Sequence, residues 1–247
     1  MQILIGVDCD PNGKSEAMRA TLSKECPANI SLVWLDLGYS TSKRHGGVHP
    51  CCFGGSLRTA LSFLADSEIV MYLDDDDWLS ADHCADIVAA IRDRSWAFAY
   101  SIYADGNLGN GLYIDEIESV GVGKGIYRKK KGGFVRPSGM AINKLKLPHI
   151  LHLFAESFNA TGDGEDRLVF EKLRSEPHRC TGKATVYYTL DPKDGMHAQR
   201  LAFMASKGVI CTLERKHESI REGNPVAKLS KLERIKNSIR KRLALRR

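Results

Sequence analysis

The sequence predicts an α/β fold: a mostly parallel central sheet with helices on both faces, of Rossmann type, followed by a basic C-terminal helix. Three observations carry this. Short continuous apolar runs recur at 3–8, 30–36 and 68–74. Segments with helical spacing lie between them. No internal repeat or long low-complexity stretch interrupts the alternation. Strand, helix, strand, helix, strand is the pattern of a parallel sheet covered on both sides, and strands buried on both faces read as unbroken apolar runs.

The elements follow in order. "ILIGVD" at 3–8 is a first strand, and "KSEAMRATLSKEC" at 14–26 a helix. "ISLVWLD" at 30–36 is a second buried strand. In "GGSLRTALSFLAD" at 54–66, Leu57, Ala60, Leu61 and Leu64 recur at i, i+3, i+4, i+7, which is one face of a helix. "EIVMYLD" at 68–74 is a third strand. Ser80 is placed to cap the helix after it, with Asp82 near the positive end. A strand is expected at 95–106. The Gly- and charge-rich stretch 104–136 is expected to be irregular, with a mobile loop near 121–133. Beyond it come a strand or turn at 137–147, a short helix at 148–158, and a helix at 163–175 that opens on acidic residues. A strand at 183–191 and a helix at 195–208 close the series.

Composition narrows the class. Of 247 residues, 43% are hydrophobic, ample for a core, and no apolar run approaches the roughly 20 residues of a membrane span. "MQILIGVD" has no basic flank and reads as a strand, not a signal peptide. The seven cysteines contain no C-x-x-C, so zinc spacing is absent and reduced thiols in a cytosolic protein are expected. The vicinal pair Cys51–Cys52 is read as part of an ordinary loop. Net charge is +6, yet residues 228–247 alone hold nine Lys/Arg against one Glu. The basic character therefore belongs to the tail.

That tail sets Leu229, Leu232, Ile235, Ile239 and Leu243 on one face about 120° wide at helical pitch. A basic amphipathic helix suits an anionic membrane surface, at roughly 1 kcal/mol per basic residue. Packing on its own domain or between two copies in a homodimer is the competing reading. Nucleic acid is disfavoured, because no aromatic residue is present to stack on bases.

The chemistry concentrates in "IVMYLDDDDWLS", residues 69–80, where four carboxylates follow a buried strand. Ligands of open parallel sheets bind at the carboxyl ends of strands. Carboxylates two apart point to one side, so Asp74 and Asp76 can serve a divalent cation. Hard oxygen ligands suit Mg²⁺ or Mn²⁺, especially where substrate phosphates complete the shell. The plainer alternative is that some of the four, Asp75 and Asp77 first, cap the next helix or face water. In "GEDR", Glu165 and Asp166 either complement a helix N-terminus or supply a base.

Here the sequence resembles the family 2 glycosyltransferases of the GT-A fold. "YLDDDDWLSADH" looks like that family's D-x-D-D-W signature. "GGSLRTALSFLADSE" is similar to the helix before it, and "PSGMAINKLKL" with "GDGEDRLVFEKL" to the acceptor-side strand and acidic helix. The resemblance spans roughly 3–200. It implies a metal-dependent, inverting transfer of a sugar from a nucleotide-diphospho-sugar donor to a hydroxyl, on a saccharide or lipid-linked acceptor, in polysaccharide or glycoconjugate synthesis. It also implies a GT-A domain over 1–210, with a donor-binding half at 1–100 and an acceptor-side half at 101–210, and an extension at 211–247. The setting is cytoplasmic or peripheral at the inner face of a membrane.

By the same resemblance, Asp76 and Asp74 would hold Mn²⁺ or Mg²⁺, with His197 as a further ligand. Asp74 and Asp75 would face the donor together with Asp8, Asp36 and Arg58. Asp166 would be the catalytic base, supported by Glu165. Arg136 and the "RKKK" at 128–131 are candidates for closing over phosphates, against a plain solvated loop. The chain departs from the family after its first two strands, which run into "VDCDPNGK" and "LDLGYS". Two other functions stay open at this point. One is a nucleotidyltransferase making a sugar nucleotide, of whose Gly-rich loop "CDPNGKSEAMR" is a faint echo. The other is a non-catalytic nucleotide- or carbohydrate-binding module.

Overall fold

The computed structural model describes residues 1–211 apart from 11, 158 and 160. The basic segment 228–247 lies outside the described residues, as does all but the first residue of the expected extension.

Strands β1 (Gln2–Val7) and β2 (Ser31–Asp36) pair in parallel, with Gln2 opposite Ser31 and Val7 opposite Asp36. The register brings Asp8 and Asp36 to the same carboxyl edge. Helix α1 (Lys14–Glu25) connects them but buries none of its residues. Helix α2 (Gly55–Leu64) packs Leu57 and Leu61 on β1. Gly6 makes that approach feasible: a Cβ there would stand 2.9 Å from Leu61 Cδ1.

The larger sheet contains β3 (Ile69–Met71), β4 (Trp78–Leu79), β5 (Trp96–Asp105), β9 (Met140–Asn143) and β10 (His178–Thr189), in the order β3-β9-β5-β10-β4. Strand β6 (Asn110–Ile114) pairs with β5. Helix α3 (His83–Ile91) joins β4 to β5. The sheet is mixed, which refines the expectation of mostly parallel strands. Only β5 and β10 run parallel within it, and β3–β9, β9–β5, β10–β4 and β5–β6 are antiparallel. Short connections explain part of this. Four residues join β5 to β6, far fewer than a parallel crossover needs. Strand β3 runs in the same direction as β5 only because antiparallel β9 separates them.

Strand β5 alternates across two cores. Trp96 and Phe98 join Met140, Ile142, Phe154, Phe170 and Leu173 on one side. Ala97 and Ala99 meet Ile87, Ile91 and Val186 on the other. Period-two alternation with apolar residues on both faces is why the run is continuously hydrophobic. The first core seats the 3₁₀ segment Pro148–Ala155 and helix α5 (Glu165–Leu173).

The stretch expected to be a mobile loop is built instead from β7 (Gly121–Val122), α4 (Arg128–Lys131) and β8 (Gly133–Phe134). Buried charge anchors it. Arg136 donates to Asp115 (2.6 Å) and Glu118 (2.6 Å), and Tyr103 donates to Asp115 (2.8 Å). Arg200, on α6 (His197–Ser206), donates to Glu118 and to Asp194 (2.8 Å). Both guanidinium groups lie over the Tyr188 ring, at 4.0 and 5.0 Å. Arg136 is therefore a structural cation, buried and paired, and the phosphate-closing role considered for it does not hold.

Two local expectations change. Strand β3 ends at Met71, so the acidic residues form a turn in which the Asp77 N–H donates to the Asp74 carbonyl (3.2 Å). Ser80 does not cap α3. Its N–H is taken by the Thr185 carbonyl (2.9 Å) in the β4–β10 pairing, and α3 starts after Asp82 without a side-chain cap. No helix among the described residues is long and apolar enough to cross a membrane.

Candidate active site

Three strand exits and two helix starts converge on one region. At the exit of β1, Asp8 accepts hydrogen bonds from Ser40 Oγ (2.9 Å), Thr41 N (2.9 Å) and Thr41 Oγ1 (2.6 Å). Burial works against the charged form, but these donors outweigh it and hold the carboxyl below its usual range. Asp8 is thus a fixed anion that ties the loop after β2 to β1. Its Cβ lies next to Gly54, at the start of α2. At the exit of β2, Asp36 accepts from Gly38 N (2.9 Å) and Ser15 Oγ (3.4 Å).

The acidic turn divides into buried and exposed members. Asp74, half-buried, forms an ion pair with Nη2 of Arg58 on α2. It also exchanges hydrogen bonds with Ser138: its N–H donates to Oγ (3.2 Å), and Oγ donates to Oδ2 (3.3 Å). Asp75 and Asp76 are exposed. The Asp76 carbonyl accepts from Thr189 Oγ1. Asp77 is buried, and its Oδ1 accepts from Thr189 N (3.0 Å). Burial pushes its carboxyl up to about 7. Asp77 is accordingly a structural brace between the turn and β10, neither a helix cap nor a solvent-facing charge. Trp78 stacks on Tyr187 of β10 at 5.2 Å, which fixes the other end of the turn.

The second carboxylate pair opens α5. Gly164 at its N-cap takes φ 89°, a left-handed conformation that favours glycine. Glu165 is buried, and its Oε2 has no hydrogen-bond partner among the described residues. Burial, then the charge of Asp166, pushes its carboxyl up to about 7. Asp166 is half-buried, and burial raises its carboxyl too, against the pull of Arg167. Arg58 and Asp74 both act electrostatically on Glu165, so the two acidic pairs lie in one region.

Close backbone approaches set this geometry. A Cβ on Gly55 would lie 2.0 Å from the Phe154 carbonyl oxygen, so α2 sits directly against the 3₁₀ segment. A Cβ on Gly162 would lie 2.1 Å from the Pro50 carbonyl oxygen. The Cys52 N–H donates to the Gly162 carbonyl (2.9 Å), joining the segment before α2 to the loop before α5.

Arg58, Asp74, Glu165 and Asp166 are thus brought together, while Asp8 and Asp36 line the neighbouring β1–β2 edge. His197 starts α6, where its N–H donates to the Asp194 carbonyl (2.9 Å). Among the described residues, no group of three or more His, Cys, Asp or Glu is gathered for a metal. Ser138 and Thr189, which orient the acidic turn, were missed from the sequence. Each is a lone hydroxyl residue whose partner lies far along the chain, and no local signal marks it.

The fold itself has counterparts of known structure. The crystal structure of S. aureus TarS 1–349 superposes with a TM-score of 0.50 at 16% identity, covering 87% of this chain and 58% of that one. The same protein in complex with UDP-GlcNAc gives 0.53 at 14% identity, covering 87% and 60%. The chain thus spans less than two thirds of the TarS chains it matches. TarS is a GT-A-like glycosyltransferase, and the mixed α/β architecture with its curled sheet is that fold. No protein-family model matches the chain, and no curated protein does.

Proposed function

We propose that the chain is a glycosyltransferase that takes its sugar from a nucleotide-diphospho-sugar. The observation that carries this reading is the convergence of the Asp74–Arg58 pair, at the exit of β3, with Glu165–Asp166, at the start of α5, in a GT-A-like fold. UDP-GlcNAc, bound in the TarS complex, is the first donor to test.

Asp166 is the general base in this reading. It is half-buried, so an acceptor hydroxyl can reach it, and burial raises its proton affinity toward the working pH. Glu165 is the supporting residue: its buried carboxyl, pushed up to about 7, is about half protonated at pH 7 and so sets less than a full negative charge beside Asp166. Removing the hydroxyl proton as the new bond forms makes a weak nucleophile competent. Attack from the side opposite the diphosphate inverts the anomeric centre. Arg58 neutralises Asp74 and leaves guanidinium N–H groups for phosphate oxygens. Asp8 and Asp36 present acceptors at the edge where a nucleoside would lie.

The donor set fits a hard divalent cation of limited protein ligation. Asp76 is exposed and Asp74 is beside it, and Mg²⁺ or Mn²⁺ bound by one or two carboxylates draws its other ligands from water and phosphate. When bound, such a cation would neutralise charge developing on the departing diphosphate. His197, at the start of α6, is the further candidate ligand for such a cation. A lipid-linked acceptor and a peripheral position on an anionic membrane belong to the same proposal, on the basic composition of 228–247. Incubation with UDP-GlcNAc and Mn²⁺, with UDP release as readout, tests the activity. Release of pyrophosphate from nucleoside triphosphate plus sugar phosphate would favour a nucleotidyltransferase instead.

A further inference from the structure

Beside the α5 carboxylates a cleft of ≈ 730 Å³ opens between the loop before α2 and the loop before α5, lined among others by Lys43, Arg44, Cys52, Phe53 and Asp163. That volume lies in the range of small-molecule sites. None of these residues belongs to the donor-side set of Asp8, Asp36, Arg58, Asp74 and Asp76.

The cleft's charge is uneven. Lys43 and Arg44 are adjacent and exposed, and neither has a carboxylate ion-pair partner among the described residues. Asp163 is already engaged by the Asn159 amide on the opposite wall. Cys52 lines the same cleft, and its backbone N–H bond to the Gly162 carbonyl ties this wall to the loop that leads into α5. The cations and Asp163, two residues before Glu165, thus line one cleft. Phe53 is 55% exposed, with the Arg44 guanidinium 5.6 Å from its ring centre. An exposed ring beside two cations offers an apolar face to a sugar and charge to its substituent.

The walls are preformed. Ser42 Oγ accepts from Arg44 N (3.2 Å), Lys43 N donates to the His49 carbonyl (2.9 Å), and Cys52 N to Gly162 O (2.9 Å). On the far wall, Asp163 N donates to Asn159 Oδ1 (3.2 Å) and Ser157 Oγ to the Asp163 carbonyl (3.0 Å). A site held this way loses little conformational freedom on binding.

We propose that this cleft is the acceptor's anion subsite, in which Lys43 and Arg44 hold a phosphate group carried by a sugar or polyol whose free hydroxyl reaches Asp166. The inference rests on the glycosyltransferase reading for its context, but its binding chemistry can be measured apart from turnover. A donor diphosphate could in principle take the same cations, and the experiment separates the two sources.

Binding of glucose 6-phosphate, of glucose, and of UDP with Mn²⁺ is measured by ligand-observed NMR or calorimetry on the full chain. It is compared with the double variant Lys43→Gln/Arg44→Gln and with the charge-conserving Lys43→Arg/Arg44→Lys. The expected result is glucose 6-phosphate bound at least tenfold tighter than glucose, as one charge-assisted contact suffices to give. That preference should weaken with added salt, vanish in the Gln variant and persist in the charge-conserving one. UDP affinity should change no more than twofold. Equal binding of the two sugars by the unaltered chain would overturn the inference, with UDP binding left to judge the glycosyltransferase reading. A fall in UDP affinity in the Gln variant would overturn it as well, by assigning the cations to the donor.

Discussion

Arg58 on α2 is ion-paired to Asp74 at the exit of β3, with the buried Glu165 of α5 within the electrostatic reach of both. One guanidinium thus offsets carboxylates contributed by two distant segments. Replacing it by Ala removes the cation that acts on both carboxylates. We expect Arg58→Ala to weaken Mn²⁺-dependent UDP binding at least tenfold, measured by calorimetry. Arg58→Lys should recover only part, because an ammonium lacks the planar fork. Unchanged affinity in Arg58→Ala would remove this residue from the donor site.

Asp166→Asn separates chemistry from binding. The amide is isosteric but cannot accept the hydroxyl proton. Donor affinity is expected within about threefold of the unaltered chain, and turnover to fall roughly 10²–10⁴-fold, the usual contribution of a general base. A turnover loss below about threefold would dismiss Asp166 as the base.

Glu165 makes stability pH-dependent in a definite direction. Its carboxyl stands at about 7 in the fold against an ordinary 4.5, so the folded state binds the proton more tightly than the unfolded one. Its contribution is complete below pH 4.5 and is lost as pH rises through about 7. The shift corresponds to a contribution on the order of 3 kcal/mol at most. Glu165→Gln should remove that decline, and denaturant midpoints at pH 5 and pH 8 should then differ less than in the unaltered chain. An equal or larger difference in the variant would contradict the buried, proton-binding state of Glu165.

Gly162 tests the packing that joins the two loops. It holds φ 80° with the Pro50 carbonyl where a side chain would be. Gly162→Ala is expected to cost about 2 kcal/mol or more through backbone strain and forced separation. Urea unfolding measures this directly. A loss under about 0.5 kcal/mol would show that the segments can part freely.

Much of this architecture was legible in the chain. The apolar runs ending at Val7 and Asp36 mark two strands, though their residues are only half-buried or exposed. In α2 the helical spacing places Leu57 and Leu61 against β1, but Leu64, expected on the same face, is 60% exposed, because the helix ends there and Ser62 takes the buried position. The D-x-D-D-W stretch and "GEDR" were legible because their residue types are costly without a purpose. What stayed hidden depends on contacts distant in sequence. The two residues of β4 carry no period, so their pairing with Tyr187 and Val186 of β10 was invisible, and Ser80 was read as a cap. Asp77 looks like its neighbours in sequence, yet Thr189 draws it into the interior. The segment 121–133, read as mobile for its glycines and lysines, is fixed by charges at Asp115, Glu118 and Arg136, which only the fold brings together.

The most direct test of the central claim is a calorimetric titration of the chain, and of Asp76→Ala, with UDP-GlcNAc and then with other nucleotide-sugars in the presence of Mn²⁺. The expected result is saturable, metal-dependent binding of one such donor that Asp76→Ala abolishes. Failure to bind any of them with either Mn²⁺ or Mg²⁺, or affinity undiminished in Asp76→Ala, would contradict the donor site drawn here.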